Sequence, residues 1–299
     1  MCGSADGEIV ASGWDYQYKT TMQNFDWLRC RACSHHYINP LPTKAALGAI
    51  YPSDLKNYGE FDTRPGLAFR IKSRLDGRRL RALTGHIPDG GRLLDVGCAA
   101  GMLLDTVKRS CPNITVLEGL EISEAAAVGA KRKGYKTYIS TIEDAELPDD
   151  YYDVIMMQQV IEHVHDPRRV IAKLHKALRP GGMLVMETPH LNSWDHRAFS
   201  SGHWEGYHIP RHFNLWQTAG MERLITEAGF SNFSFTKRIK PVHWTFSLQN
   251  RAIAKGRPQW VVNLFGVRNF ALLAFFGVVD VIQLYLARKA SDVQYVATK

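Results

Sequence analysis

Cysteine is scarce in this chain of 299 residues, with five in all. That is too few for a disulfide scaffold in a chain this long, so a reducing compartment, the cytoplasm, is the expectation. No basic stretch followed by an apolar one opens the sequence, which argues against a secretory signal. Internal repeats and low-complexity tracts are also missing, which excludes solenoid and compositionally disordered architectures. The apolar stretch Phe270–Val279 spans ten residues, about half of the ~20 that cross a bilayer. The dinucleotide fingerprint G-x-G-x-x-G is absent from the turn where it would be sought, which reads Gly97-x-Ala99-x-Gly101.

What is present reads as an ordinary globular composition, 45% hydrophobic and 22% charged. The formal charge is +8 and the isoelectric point about 9.2, compatible with an anionic partner without choosing one. Part of the excess lies between Arg64 and Arg81, where seven basic residues face one acid, Asp76. A solvated helix face is the simpler reading of that run, with an anion site as the alternative.

The pattern divides the chain into three: residues 1–60, rich in aromatics and carrying Cys2, Cys30 and Cys33; a basic helical connector at 61–90; and 91–299, where α and β segments alternate. Strands are expected at Arg92–Val96, Thr115–Glu121, Lys136–Tyr138, Tyr152–Met157, Met183–Thr188, Ser231–Lys237 and Val293–Ala297. Ser123 and Asp166-Pro167 are helix starts, and Gly134 is a helix stop. The alternation predicts an α/β fold, a Rossmann-like doubly wound sheet that is mostly parallel; an antiparallel last strand is expected with it.

Ligands of such sheets bind beyond the carboxyl ends of the strands. After the first strand comes the small-residue turn Gly97 to Gly101, with Asp95 at the strand end. A carboxylate there would repel a pyrophosphate but suits a cofactor that has an ammonium group and no phosphate. S-adenosylmethionine is such a cofactor. The second strand ends at Glu121, which can accept two hydrogen bonds from ribose hydroxyls. Ile142 and Glu143 follow the third strand, and Gln158 and Gln159 the fourth.

Residues from about 93 to 230 resemble a class I S-adenosylmethionine-dependent methyltransferase of the small-molecule type. The resemblance rests on Asp95-x-Gly97, on Val160-Ile161-Glu162-His163-Val164 with Asp166-Pro167, and on Leu178-Arg179-Pro180-Gly181-Gly182 before the fifth strand. It implies that Gly97, Ala99 and Gly101 line the methionine part of the cofactor, and that Asp95 holds its amino group. Glu121 would hold the ribose, Ile142 and Glu143 would flank the adenine, and Gln158 would close the site. Ala99 departs from the glycine found in many members, a difference of one methyl group.

Methyl transfer to a hydroxyl would benefit from a general base. His163 is one candidate. His208 and His212 are others, in a stretch that holds five of the twelve histidines between His190 and His212. Some family members that methylate hydroxyls hold a metal with two acids and a histidine after the fourth strand. Here Gln159 stands where the second acid is expected, and glutamine is a poor ligand for a hard cation, so no catalytic metal is expected.

Cys30-x-x-Cys33 with Cys2-Gly3-Ser4 resembles the knuckles of zinc ribbons fused to this class of methyltransferase. It implies a small zinc-ribbon-like segment with Cys2, Cys30 and Cys33 as ligands to a structural zinc, although such sites normally have four. The stretch from about 241 to 288 is an apolar insertion, expected to be helical, that must bury against the protein, a second subunit, a greasy substrate or a membrane surface. The resulting expectation is O-methylation of a small or lipid-linked acceptor in the cytoplasm, with peripheral membrane contact and an oligomeric state left open. Two alternatives stand beside it: an RNA methyltransferase using the ribbon and the basic connector, and a non-enzymatic cofactor-binding scaffold. Nucleic acid is the less expected partner, because no RNA-binding aromatic motif is visible.

Overall fold

Continuous apolar runs place the central strands in a computed structural model that describes residues 2–4, 6–51 and 67–299. The stretch 52–66, which includes Arg64 and the expected boundary between the N-terminal segment and the connector, lies outside the described residues. The N-terminal segment forms β1 (Gly7–Gly13), β2 (Phe25–Cys30), β3 (His36–Asn39) and the short α1 (Leu47–Ile50). The connector is α2 (Leu67–Thr84). Then come β4 (Gly91–Val96), α3 (Met102–Ser110), β5 (Ile114–Glu121), α4 (Glu124–Arg132) and β6 (Lys136–Ile139). The chain continues with β7 (Tyr152–Gln158), α5 (Pro167–Ala177), β8 (Leu178–Pro189), α6 (Trp194–Phe199), β9 (Asn214–Leu215), α7 (Thr218–Glu227) and β10 (Ser231–Arg238). The insertion is three helices, α8 (Val242–Ala254), α9 (Gln259–Leu264) and α10 (Phe270–Ala287), and β11 (Asp292–Thr298) closes the chain.

Seven strands form one sheet in the order β10-β11-β8-β7-β4-β5-β6. β4 runs parallel to β5 and β7, while β11 is antiparallel to both β8 and β10. The chain steps outward from β4 to β6 and then returns to β7 on the other side of β4. That reversal is the switch point where a doubly wound sheet opens a crevice.

Side chains alternate across the sheet to build two cores. Leu94, Ile155 and Leu184 pack with Val170, Ile171 and Leu174 of α5 and Leu224 of α7. Leu93, Val154 and Val185 face the other way, onto Leu104 and Val107 of α3 and Leu80 of α2. Both faces are covered, which is why these strands read as unbroken apolar runs. The expected helix starts are in place: Ser123 Oγ accepts from Ala126 N, and Asp166 Oδ1 from Arg169 N, with Pro167 in the first turn.

A second sheet has the order β1-β2-β3-β9. Its fourth strand comes from the loop after β8, with His36 paired to Leu215 and Tyr37 to Asn214. The N-terminal strands are therefore built into the loop rather than set apart from it. The junction is filled by Trp27, Trp204, Tyr207 and Phe213, all buried. It is pinned by a fully buried pair, Arg211 Nη2 to Asp15 Oδ2 at 3.0 Å and Nη1 to Oδ1 at 3.1 Å.

Candidate functional site

The turn after β4 is shaped by left-handed backbone. Gly97 has φ +82°, and a Cβ there would come 2.5 Å from Cγ2 of Val160. Glycine is thus required on two counts, conformation and space. Ala99 also has positive φ, +42°, a mild strain for a residue with a side chain. Glu121 holds this turn: Oε2 accepts from Ala99 N at 3.0 Å and Oε1 from Ser123 N at 3.1 Å. Asp95 is buried beside it. Burial, then the charge of Glu121, pushes its carboxyl up to about 7.

A cavity of about 370 Å³ opens over the turn. Of the residues expected at the site, Asp95, Gly97, Ala99 and Gln158 line it. Gly101 caps α3 with φ +76°, and Glu121 reaches the site through the backbone of Ala99. Ile142 belongs to the hydrophobic core. The Glu143 carboxylate accepts from His165 N at 2.7 Å and Asp166 N at 3.2 Å, fixing the loop into α5.

The opposite wall was not anticipated. Asp76 and Arg79 of α2, Glu187 near the end of β8, Arg238 at the end of β10 and Lys240 just beyond it line the cavity too. They form a chain of alternating charge: Arg79 to Asp76 at 3.4 Å, Arg238 to Glu187 at 3.6 Å, Lys240 to Glu187 at 3.7 Å and to Asp292 at 2.8 Å. Burial alone would lower the ammonium of Lys240, but Asp292 and Glu187 raise it instead. The signal available in the sequence was Arg238-x-Lys240 immediately after a strand.

The structure brings His163, His208 and His212 together. The rings of His163 and His212 lie 4.5 Å apart and those of His208 and His212 5.0 Å apart. Burial lowers all three, His163 to about 4, so each is neutral at pH 7. Nδ1 of His163 contacts Tyr51 Oη at 2.7 Å and Arg211 O at 3.0 Å, and Nδ1 of His212 lies 2.8 Å from Gly206 O. Glu162 joins them, with Oε1 3.9 Å from His212 Nε2. Burial pushes its carboxyl up to about 8. Ligand atoms of Glu162, His163 and His212 fall within 4.8 Å of one another, although the group is set back from the cavity lining.

At the far end of the second sheet, the thiols of Cys2, Cys30 and Cys33 also converge within 4.8 Å, with Cys2 and Cys30 sulfurs 3.5 Å apart. Zinc–sulfur bonds of about 2.3 Å put tetrahedral thiolates about 3.8 Å apart, so the cluster fits such an ion. Hydrogen bonds from the Ser4 backbone and from the neighbouring thiols lower Cys2 to about 7.

Residues 68–234 match a family described as a methyltransferase domain. The chain belongs to this family. Relatives of this methyltransferase domain include the ubiquinone biosynthesis O-methyltransferase of Vibrio cholerae, 40% identical over 107 residues, which are 34% of this chain and 44% of that protein. The protein of the same name from Cereibacter sphaeroides is 26% identical over 186 residues, 58% of this chain and 74% of that one. The chain spans about half the length of the first curated relatives it matches. Among solved structures, a candidate sarcosine dimethylglycine methyltransferase of Galdieria sulphuraria aligns with a TM-score of 0.51 at 16% identity. The alignment covers 78% of this chain and 87% of that one, and the two share the fold.

Proposed function

We propose that this methyltransferase domain binds S-adenosylmethionine and methylates a hydroxyl of a small or lipid-linked molecule. The observation that carries the reading is the turn itself, with two buried carboxylates, Asp95 and Glu121, on either side of left-handed Gly97 and Ala99. That arrangement rejects phosphate and accepts an ammonium group and hydroxyls. When bound, S-adenosylmethionine supplies a methyl group on a sulfonium, an activated leaving group open to in-line displacement. Asp95 takes the amino group, Glu121 the ribose, and Gln158 closes the cavity.

The protein's own contribution is chiefly placement, which can supply roughly 7–11 kcal/mol of a barrier. A hydroxyl must also lose its proton. His163, His208 and His212, kept neutral by burial, are the acceptors in this reading. The names of the ubiquinone biosynthesis relatives support oxygen as the acceptor atom and a small or lipid-linked molecule as the acceptor. The site of action is the cytoplasm and its membrane surface. Cys2, Cys30 and Cys33 would hold a structural zinc, which would contribute to folding of the N-terminal strands.

The test is to incubate the protein with methyl-labelled S-adenosylmethionine and separately extracted lipid, metabolite and RNA pools. Label in the lipid or metabolite pool, stable to acid as an ether is, is the expected result. Label in RNA would overturn the acceptor class, and label in no pool would overturn the activity.

A further inference from the structure

The helix α10 is built inside out. Its 18 residues have a mean hydropathy of 2.1, yet the residues it buries are Phe276, Asp280 and Gln283, two of them polar. Spaced i, i+4, i+7, they form one stripe facing the protein. Asp280 accepts from Lys240 N at 2.8 Å, Trp244 Nε1 at 2.9 Å and Gln283 Nε2 at 2.7 Å. Gln283 Oε1 accepts from Trp194 N at 2.9 Å. The apolar remainder points outward: Phe270 is 74% exposed, Tyr285 78% and Leu286 80%, with Phe275 and Val278 between them and Trp260 of α9 68% exposed. A water-facing helix has the reverse polarity, and a continuous exposed apolar patch of this kind marks a contact surface.

Charge decides the partner. From Val242 to Lys289 the sequence holds six basic residues, Arg251, Lys255, Arg257, Arg268, Arg288 and Lys289, and one acid, Asp280. That acid is buried, so the charges framing the apolar face are of one sign. A second copy on the same face would set like charges against each other. An anionic lipid surface would complement them, at about 1 kcal/mol per basic residue near the headgroups. Orientation follows from the polar stripe. Asp280 and Gln283 are held by Lys240, by Trp244 at the start of α8 and by Trp194 at the start of α6, so a helix crossing the bilayer would carry buried polar groups to its centre. Lying flat, the helix of about 27 Å keeps Arg268 at one end and Arg288 at the other at headgroup depth.

We propose that the α9–α10 face docks the protein on an anionic lipid bilayer, in the plane of the interface, with Phe270, Phe275, Tyr285 and Leu286 in the acyl boundary. The docking helix also meets the cavity. Asp280 binds the backbone of Lys240, whose side chain lines the cavity wall. A membrane-seated α10 therefore holds the acceptor side of the cavity at the surface where a lipid-linked acceptor resides. The proposal deepens the lipid-linked reading above without depending on methyl transfer, since vesicle binding and label transfer are separate measurements.

The experiment is flotation of the full chain with vesicles of phosphatidylcholine alone or with phosphatidylglycerol added, at low and high salt. Wild type should float with the anionic vesicles and be released by salt. The triple variant Phe275→Ser/Tyr285→Ser/Leu286→Ser should partition at least roughly tenfold less. The variant Arg268→Glu/Arg288→Glu should lose the preference for anionic lipid while binding S-adenosylmethionine as wild type does in calorimetry. Wild type left unfloated with anionic vesicles at low salt would overturn the proposal. So would a dimer in analytical ultracentrifugation that the triple variant dissociates while vesicle binding is unchanged. Should the triple variant misfold by circular dichroism, the charge variant decides alone.

Discussion

The glycine turn after β4 and the helix α10 invert the usual distribution of polarity in opposite directions. At the turn, carboxylates are buried around a cavity and side chains are cut back to hydrogen or methyl. On α10, aromatic and aliphatic side chains face outward, while the one acid and one amide turn in. Exposure alone marks neither place. The mismatch between a residue's chemistry and its surroundings marks both. The buried acids differ among themselves as well. Asp15 has a full bidentate partner in Arg211, Glu121 is held by two backbone N–H groups, and Glu162 has the imidazole of His212 at 3.9 Å.

Removing a full partner should have the largest effect. Arg211→Met leaves Asp15 charged and unpaired in the core, and should lower stability by about 3–5 kcal/mol in urea denaturation. A loss below about 1 kcal/mol, the worth of an exposed pair, would show that the two sheets are not pinned there. Next comes Glu121→Ala, which removes the tether of the turn and the ribose acceptor proposed above. Cofactor affinity by calorimetry should fall about 10- to 100-fold, the worth of about one hydrogen bond to a charged group. Unchanged affinity in a folded variant would remove Glu121 from the site.

A smaller effect, and one that changes with pH, is expected at Glu162. Its folded value of about 8 stands above the ordinary 4.5, so the folded protein holds this proton more tightly. The stability it contributes is present below pH 4.5 and is lost as pH rises through 8. Glu162→Gln should therefore gain melting temperature relative to wild type as pH increases across that window. A difference that stays flat with pH would mean the carboxyl is not protonated in the folded state. The smallest effect is at Ala99→Gly, where relief of left-handed strain is opposed by added chain entropy. Stability should change by less than about 1 kcal/mol, and a larger loss would show that the methyl group packs.

The central sheet was legible because its signals are local. Continuous apolar runs, Ser123 and Asp166-Pro167 as caps, and the turn at Gly97 each speak within a few residues. The antiparallel last strand was expected too, and β11 runs antiparallel to β8 and β10. What could not be read was assembled from distant pieces. Nothing in Asn214-Leu215 announces a partner in His36-Tyr37, because a two-residue strand has no periodicity to detect. The charged cavity wall takes Asp76 from the connector, Glu187 from a strand and Lys240 from a loop, three segments whose meeting only the topology decides. Glu143 reads as an adenine contact by position, but the N–H groups of His165 and Asp166 compete for its carboxylate. The polarity of α10 was hidden for another reason: composition gives its apolar count, while the face it turns inward depends on Trp244 and Lys240.

The pairing of β9 with β3 has a mechanical meaning. Loops after the strands of such sheets often serve as lids, swinging over bound ligands. The loop after β8 has part of its length woven into a neighbouring sheet, with Arg211 locked to Asp15 beside it. To swing, it would have to unzip β9 and strip a buried ion pair. It therefore behaves as a strut, holding the histidine group rigid, and any opening of the cavity falls to elements that carry no such stitch.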